Sequence, residues 1–252
     1  PFSPTMPHLP ARASRPLRFG DADHMTKPAV AQAMARRWPE ALRLIDAPDF
    51  ENWLKRSFGE EKVSEQLIKL ATSSASIGPG SAVKDRYLSR IIMWLSTQMP
   101  VCYQSIRANV TGLGTMLAEA MQRQENLTSF ADMLRGRLPQ LWMNEQPQLN
   151  STQLQARRIL EEVEKHIEKT GTGHGLERAL YELDPLTPCR SPMIADFCVI
   201  HLNDLLPALD AAMPGLPSGT VPMDRHLAGF IGAHLRRGID HELGMLNQAG
   251  NR

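Results

Sequence analysis

Apolar residues recur at three- and four-residue intervals along most of the chain and nowhere alternate convincingly at every second position, a pattern that predicts helices and no strands. From Lys27 the stripe Val30, Met34, Trp38, Leu42 and Ile45 predicts a helix, with Pro28 in its first turn and Pro39 kinking or restarting it after Trp38. Pro48 opens a run with Phe50, Trp53, Leu54 and Phe58 on one side, which Gly59 ends. Glu60 and Glu61 then lead a helix striped with Val63, Leu67 and Leu70. The small-residue stretch 73–81 is the clearest internal break. Beyond it Tyr87, Ile91, Trp94 and Leu95 define an inward face, with Lys84, Asp85, Arg86 and Arg90 mostly outward, as far as Pro100.

Residues 100–110 carry no helical stripe and read as an extended connection. Thr111 is the expected N-cap of a helix bearing Leu113, Met116, Leu117, Ala120 and Met121, and another starts near Thr128 with Phe130, Met133 and Leu134 inward. Pro139, Pro147 and Asn150 mark a second break. A long amphipathic helix is expected from Thr152 to Lys169, with Ile159, Leu160, Val163 and Ile167 as its stripe. On it Glu161 and Lys165 form a favourable pair, and Glu164 with Glu168 a mildly opposing one. Leu176, Ala179, Leu180 and Leu183 give a short helix stopped by Pro185. Ser191-Pro192 predicts the N-cap and first turn of a helix carrying Ile194, Phe197, His201, Leu202 and Leu205. After the loop 214–222, Asp224 is expected to cap a last pair of helices with Leu227, Phe230, Ile231 and Leu235, then Ile239, Leu243 and Leu246. The expected fold is all-α, an irregular array of about ten short helices divided into two helical lobes. The lobes would span residues 21–146 and 147–252. Residues 1–20, with Pro1, Pro4, Pro7, Pro10, Pro16, Arg12, Arg15 and Arg18, read as a Pro/Arg-rich arm or linker. The sharper alternative there is a polyproline ligand or a phosphate-touching arm.

Composition narrows the function classes. Aromatics at 6% within an apolar share of 42% suit Leu-, Ala- and Met-rich helices better than a β-sandwich. The 28 Lys+Arg against 27 Asp+Glu leave +1, which argues against a strongly basic nucleic-acid binder or an acidic tail. The doublets Arg36-Arg37, Arg157-Arg158 and Arg236-Arg237 are dispersed and make no continuous phosphate track. No apolar run approaches the roughly 18 residues of a membrane-spanning helix. Cys102, Cys189 and Cys198, with no CxxC spacing, speak against a disulfide scaffold and a thiolate zinc site and for a reducing compartment. No secretory leader follows Pro1, so a cytoplasmic location is expected, and the proline-rich start suits a piece of a longer protein.

No convergent chemistry stands out. The stretch 109–115 (Asn-Val-Thr-Gly-Leu-Gly-Thr) lacks a P-loop lysine and the third glycine of a dinucleotide fingerprint, and reads as a helix start whose glycines permit close packing. Glu162 and His166 share a helix face one turn apart, as in metal-binding bundles, but no second such helix accompanies them, so a solvated charged face is expected. His226, His234 and His241, with Asp224, Asp240 and Glu242, gather near the C-terminus and are expected at the surface or at helix ends. Ser191 and Cys189 are the nucleophile candidates beside a turn, with no His or Asp placed by a local motif; His201 reads as a core histidine. No residue is nominated as catalytic, cofactor-binding or metal-ligating, and no cofactor is expected.

Two stretches carry a family resemblance. Residues 33–42 (Ala-Met-Ala-Arg-Arg-Trp-Pro-Glu-Ala-Leu) followed by 50–56 (Phe-Glu-Asn-Trp-Leu-Lys-Arg) resemble a helical module of large bacterial multidomain proteins, in which a W-x-E-A helix precedes a W-L-R helix. Residues 100–107, 111–117 and 224–231 resemble segments that follow in such chains. The resemblance implies a non-catalytic helical module beside protein-kinase-like or DnaK-type ATPase domains, with Trp38 and Trp53 as packing residues. The leading expectation is therefore a scaffold or regulatory module that docks a protein partner, without membrane or nucleic-acid contact. The alternatives are an enzyme assembled from the C-terminal histidines His226, His234 and His241 with Asp196 or Asp224, and a bacterial effector or anti-phage component that binds a foreign protein.

Overall fold

A computed structural model describes residues 9–58, 62–76, 82–215 and 223–249. Helix dominates, but two small two-stranded antiparallel sheets correct the all-α expectation. The chain divides into two compact units, Pro1–Arg107 with Leu141–Gln148 and Ala108–Gln140 with Leu149–Arg252.

The first unit opens with a hairpin, β1 (Arg12–Phe19) and β2 (Ala22–Thr26), turned at Gly20, whose φ of +61° suits glycine. Its register breaks between Arg12 and Leu17, around Pro16, which has no N–H to give the ladder. Ala13, Leu17 and Phe19 are buried, so the stretch expected as an arm contributes to a core. Residues 1–8 of that arm lie outside the described residues.

Thr26 caps α1 (Lys27–Arg36), accepting from the Ala29 N–H, with Pro28 in the first turn as the sequence predicts. The break before Pro39 falls at Arg37, and α2 (Trp38–Asp46) and α3 (Pro48–Phe58) follow. The residues expected to end α3 and to lead the next helix, 59–61, are outside the described set, as are 77–81 of the expected break. Next come α4 (Val63–Ala75) and α5 (Ala82–Leu95). Arg86 is buried rather than outward, its Nε donating to the Ser74 carbonyl at 3.3 Å. The extended connection is itself a hairpin, β3 (Val101–Tyr103) and β4 (Ile106–Ala108), with Gln104 at φ +52° in the turn.

Each of three tryptophans buries its ring and donates its indole N–H: Trp53 to the Arg15 carbonyl at 2.8 Å, Trp38 to Asp85 at 2.5 Å and Trp142 to the Met99 carbonyl at 2.6 Å. The first of these bonds fastens β1 to α3.

In the second unit a 3-10 turn (Val110–Gly112) leads into α6 (Leu113–Gln122). Gly112 is its N-cap, so the expected Thr111 cap is not made. After α7 (Thr128–Arg135), the unit boundary falls inside α8 (Leu138–Asn144). Asn150 and Gln153 form a reciprocal capping box at the start of α9 (Ser151–Ile167). On it Lys165 pairs with Glu162 rather than Glu161, and Glu164 with Arg137.

Helix α10 (Gly175–Leu183) is packed by α6, α9 and α12. Ser191-Pro192 does not open an α-helix: the chain passes through 3-10 turns at Ala195–Phe197 and Leu202–Asp204 before α11 (Leu205–Ala212). A further 3-10 turn spans Met213–Gly215, and most of the expected loop, 216–222, is outside the described residues. Asp224 does cap α12 (Arg225–Leu235), accepting from the Leu227 N–H at 2.8 Å, and α13 (Asp240–Ala249) ends the described chain.

Candidate functional site

The chemistry-bearing side chains of the second unit collect around α10. That helix meets its neighbours at glycines, which lets polar groups on its surface be enclosed. A Cβ at Gly114 of α6 would lie 2.7 Å from the Leu183 carbonyl carbon. A Cβ at Gly229 of α12 would lie 3.0 Å from the Arg178 nitrogen, and one at Gly232 would lie 2.8 Å from Arg178 Nη1. The close packing expected of the 109–115 glycines is thus made at Gly114, while Gly112 faces open space.

Arg178, 1% exposed, donates from Nε to Glu182 Oε1 at 2.7 Å and from Nη1 to the Arg237 carbonyl at 3.1 Å. Glu182 Oε2 is buried with no hydrogen-bond partner among the described residues. Burial raises the Glu182 carboxyl above its ordinary range, and the adjoining guanidinium opposes that shift.

Two histidines meet between the end of α9 and the loop before α10. Their Nδ1 atoms are 3.0 Å apart, and His174 Nε2 lies 2.8 Å from Asp240 Oδ1. A carboxylate only accepts, so His174 donates from Nε2 to Asp240, and its Nδ1 and that of His166 share one hydrogen bond. Burial, then the positive Arg178, push the His166 imidazole down to about 4, so it is neutral at pH 7. The same hydrogen bond from His174 lowers the Asp240 carboxyl. Ile239 packs against Gly173, whose φ of +83° the loop requires, so the start of α13 is fixed beside Asp240.

A second network lies around Tyr181. Its hydroxyl accepts from the Arg190 N–H at 2.9 Å and shares a hydrogen bond with His226 Nδ1 at 3.0 Å. Burial raises the phenol and lowers the imidazole, which keeps both neutral. Ser191 Oγ donates to Asp224 Oδ2 at 2.6 Å and accepts from the Met193 N–H at 3.2 Å. Ser191 is fully buried, and the buried Cys189 thiol is pushed up to about 11, so neither nucleophile candidate is both exposed and activated.

The expected residues therefore take other partners. His166 is buried, not on a solvated face, and Glu162 turns to Lys165. His226 joins Tyr181, His234 Nδ1 contacts the Phe230 carbonyl at 2.9 Å within its own helix, and His241 is exposed. His201 is exposed rather than a core histidine, and Asp196 is exposed in its 3-10 turn. Sequence reasoning missed His174, Arg178 and Tyr181. The spacing of Arg178 and Glu182, four apart in a helical stretch, was the one local signal for that ion pair. Among the described residues no group of three or more His, Cys, Asp or Glu side chains is arranged to hold a metal ion, and no helix is long and apolar enough to cross a membrane.

The outer side of α11 has a different character. This helix buries only Leu205 and Ala208. Leu206, Asp210 and Met213 follow one another at helical spacing on its exposed side, with Leu206 71% and Met213 43% exposed, and Pro207 and Ala211 are exposed beside them. Leu186 and Phe197, in the segment leading to α11, are also exposed. The chain matches no protein-family model, no curated protein and no solved structure.

Proposed function

We propose that the protein is a non-enzymatic helical module that docks a protein partner, and that the second unit presents the docking surface through α11. The observation that supports this reading most is the composition of the α11 outer side, where Leu206, Pro207, Ala211 and Met213 face solvent on a helix that buries only two of its residues. An apolar helical face that its own fold leaves uncovered is the kind of surface a partner covers. The buried networks fit this reading, because their hydrogen bonds, Glu182 Oε2 aside, hold α10 to α12 and to the segments around it. A regulatory or scaffold role inside a larger bacterial signalling or stress-response protein remains the setting we propose, on the resemblance of residues 33–42 and 50–56.

Replacing the benzoylphenylalanine-compatible position Leu206 with a photo-crosslinking residue tests this in cells of the native host. The expected result is one dominant cross-linked protein, lost when Met213→Arg is added. Cross-linking to no protein, or to an unselective background unchanged by Met213→Arg, overturns the proposal.

A further inference from the structure

From Ser191 to Asp224 the sequence contains no Lys or Arg, in a chain that has 28 of them. The same segment carries Asp196, Asp204 and Asp210, all exposed, and among the described residues no cation pairs with any of them. Asp210 stands between Leu206 and Met213 on the outer side of α11. Asp204, at the helix start, leads the neighbouring line of Pro207 and Ala211, and makes no capping hydrogen bond with its side chain. The docking face is thus apolar, interrupted and flanked by unneutralised carboxylates.

Charge decides what can cover such a face. A purely apolar partner would strip water from Asp210 and leave a carboxylate without a counter-charge, which opposes binding. An acidic partner adds repulsion, and an anionic membrane surface is repelled for the same reason. A segment with Leu-type side chains on one side and Lys or Arg within reach of Asp204 and Asp210 satisfies both features together. The line from Leu206 to Met213 covers about two helical turns, roughly 10 Å, the contact length of one short helix laid along another.

We infer that the exposed face of α11 binds a cationic amphipathic helix of a partner protein, with its apolar side against Leu206 and Met213 and its Lys or Arg side chains against Asp204 and Asp210. This inference rests on the docking reading and narrows it to one class of partner.

The test uses the full chain and three fluorescein-labelled peptides followed by anisotropy: an amphipathic Leu/Lys helix, its Leu/Glu counterpart, and a Lys/Ser peptide with no apolar side. The Leu/Lys helix is expected to bind, more weakly as salt rises, and the other two are not. Asp204→Asn with Asp210→Asn is expected to weaken binding about tenfold, and Leu206→Ser to weaken it at least as much. All these positions are exposed, and an unchanged thermal midpoint will show that the variants are folded. Equal binding of the Leu/Glu helix would leave the docking reading standing and overturn the cationic assignment. Equal binding of the Lys/Ser peptide would reduce the site to diffuse charge attraction and overturn both. Self-association abolished by Leu206→Ser would place a second copy on the face and overturn the cationic assignment. Binding of none of the three peptides overturns it as well.

Discussion

His166 is the residue whose protonation the fold opposes most directly. Enclosed beside Arg178, it is neutral at pH 7, and its Nδ1 is committed to His174. The sign of the pH dependence follows. In the unfolded chain the imidazole takes a proton near its ordinary 6.5; in the folded chain it does so only at about 4. Between those values the unfolded state binds more protons, so stability is fully present above about 6.5, falls as pH drops and levels off below about 4. The loss is at most about 3 kcal/mol. Asp240, lowered by the His174 hydrogen bond, contributes in a more acidic window: its share is present above the ordinary 3.8 and is lost as pH falls through its lower folded value. Urea unfolding between pH 7 and 4 should therefore show a falling midpoint for the wild type. His166→Leu should start less stable at pH 7, because His174 Nδ1 loses its hydrogen-bond partner, and then decline less steeply. Equal slopes for the two proteins would exclude His166 as the source.

At the scale of elements, glycines set how closely helices pack, and their surroundings decide the sign of a substitution. Gly229→Ala gains up to about 1 kcal/mol of helix propensity. Its new methyl group, however, meets backbone atoms of Glu177 and Arg178 at 3.0 Å, which cannot give unless α10 and α12 separate, at about 1–3 kcal/mol. A lower thermal midpoint is expected. Gly244 in α13 has nothing within 4 Å of its Cβ position, so Gly244→Ala should be neutral or stabilising by up to about 1 kcal/mol. If both substitutions raise the midpoint, propensity rather than packing controls these helices.

The same scale shows what was legible. Helix starts governed by neighbouring residues were readable, as at Thr26–Pro28 and Asp224, because the capping atoms lie within three residues of their donors. At Ser191 the hydroxyl accepts from the Met193 N–H in a turn and donates to Asp224, 33 positions away, and the chain is drawn off its expected helix where the Cys189 N–H bonds the Val199 carbonyl at 2.7 Å. A local capping rule cannot register such partners. The β1 strand was hidden because its inward positions Ala13, Leu17 and Phe19 are interrupted by the exposed Arg15 at the position between, and sit among Pro16 and three arginines. His174 could not be found from spacing, since one partner lies across a glycine loop and the other is 66 positions away.

Across the whole molecule, the chain enters the second unit at residue 108, returns to the first for Leu141–Gln148, and leaves it again. Those eight residues are far in sequence from the rest of their unit, yet they supply two of its fastenings. Trp142 buries its ring and donates to the Met99 carbonyl, and Gln146 Nε2 donates to the Thr97 carbonyl at 2.9 Å. The first unit is therefore not complete at residue 107, and its stability depends on a segment made after α6 and α7 of the other unit. Trp142→Ala in the full chain removes a large buried ring and leaves the Met99 carbonyl without its donor, at about 3–5 kcal/mol. Hydrogen exchange read by mass spectrometry should show faster exchange in peptides from α5 and β3, with those from α10 and α12 changed much less. Uniform acceleration through α10 and α12 would mean that the two units unfold as one cooperative body. Unchanged exchange in α5 would mean that Leu141–Gln148 adds little to the unit it joins.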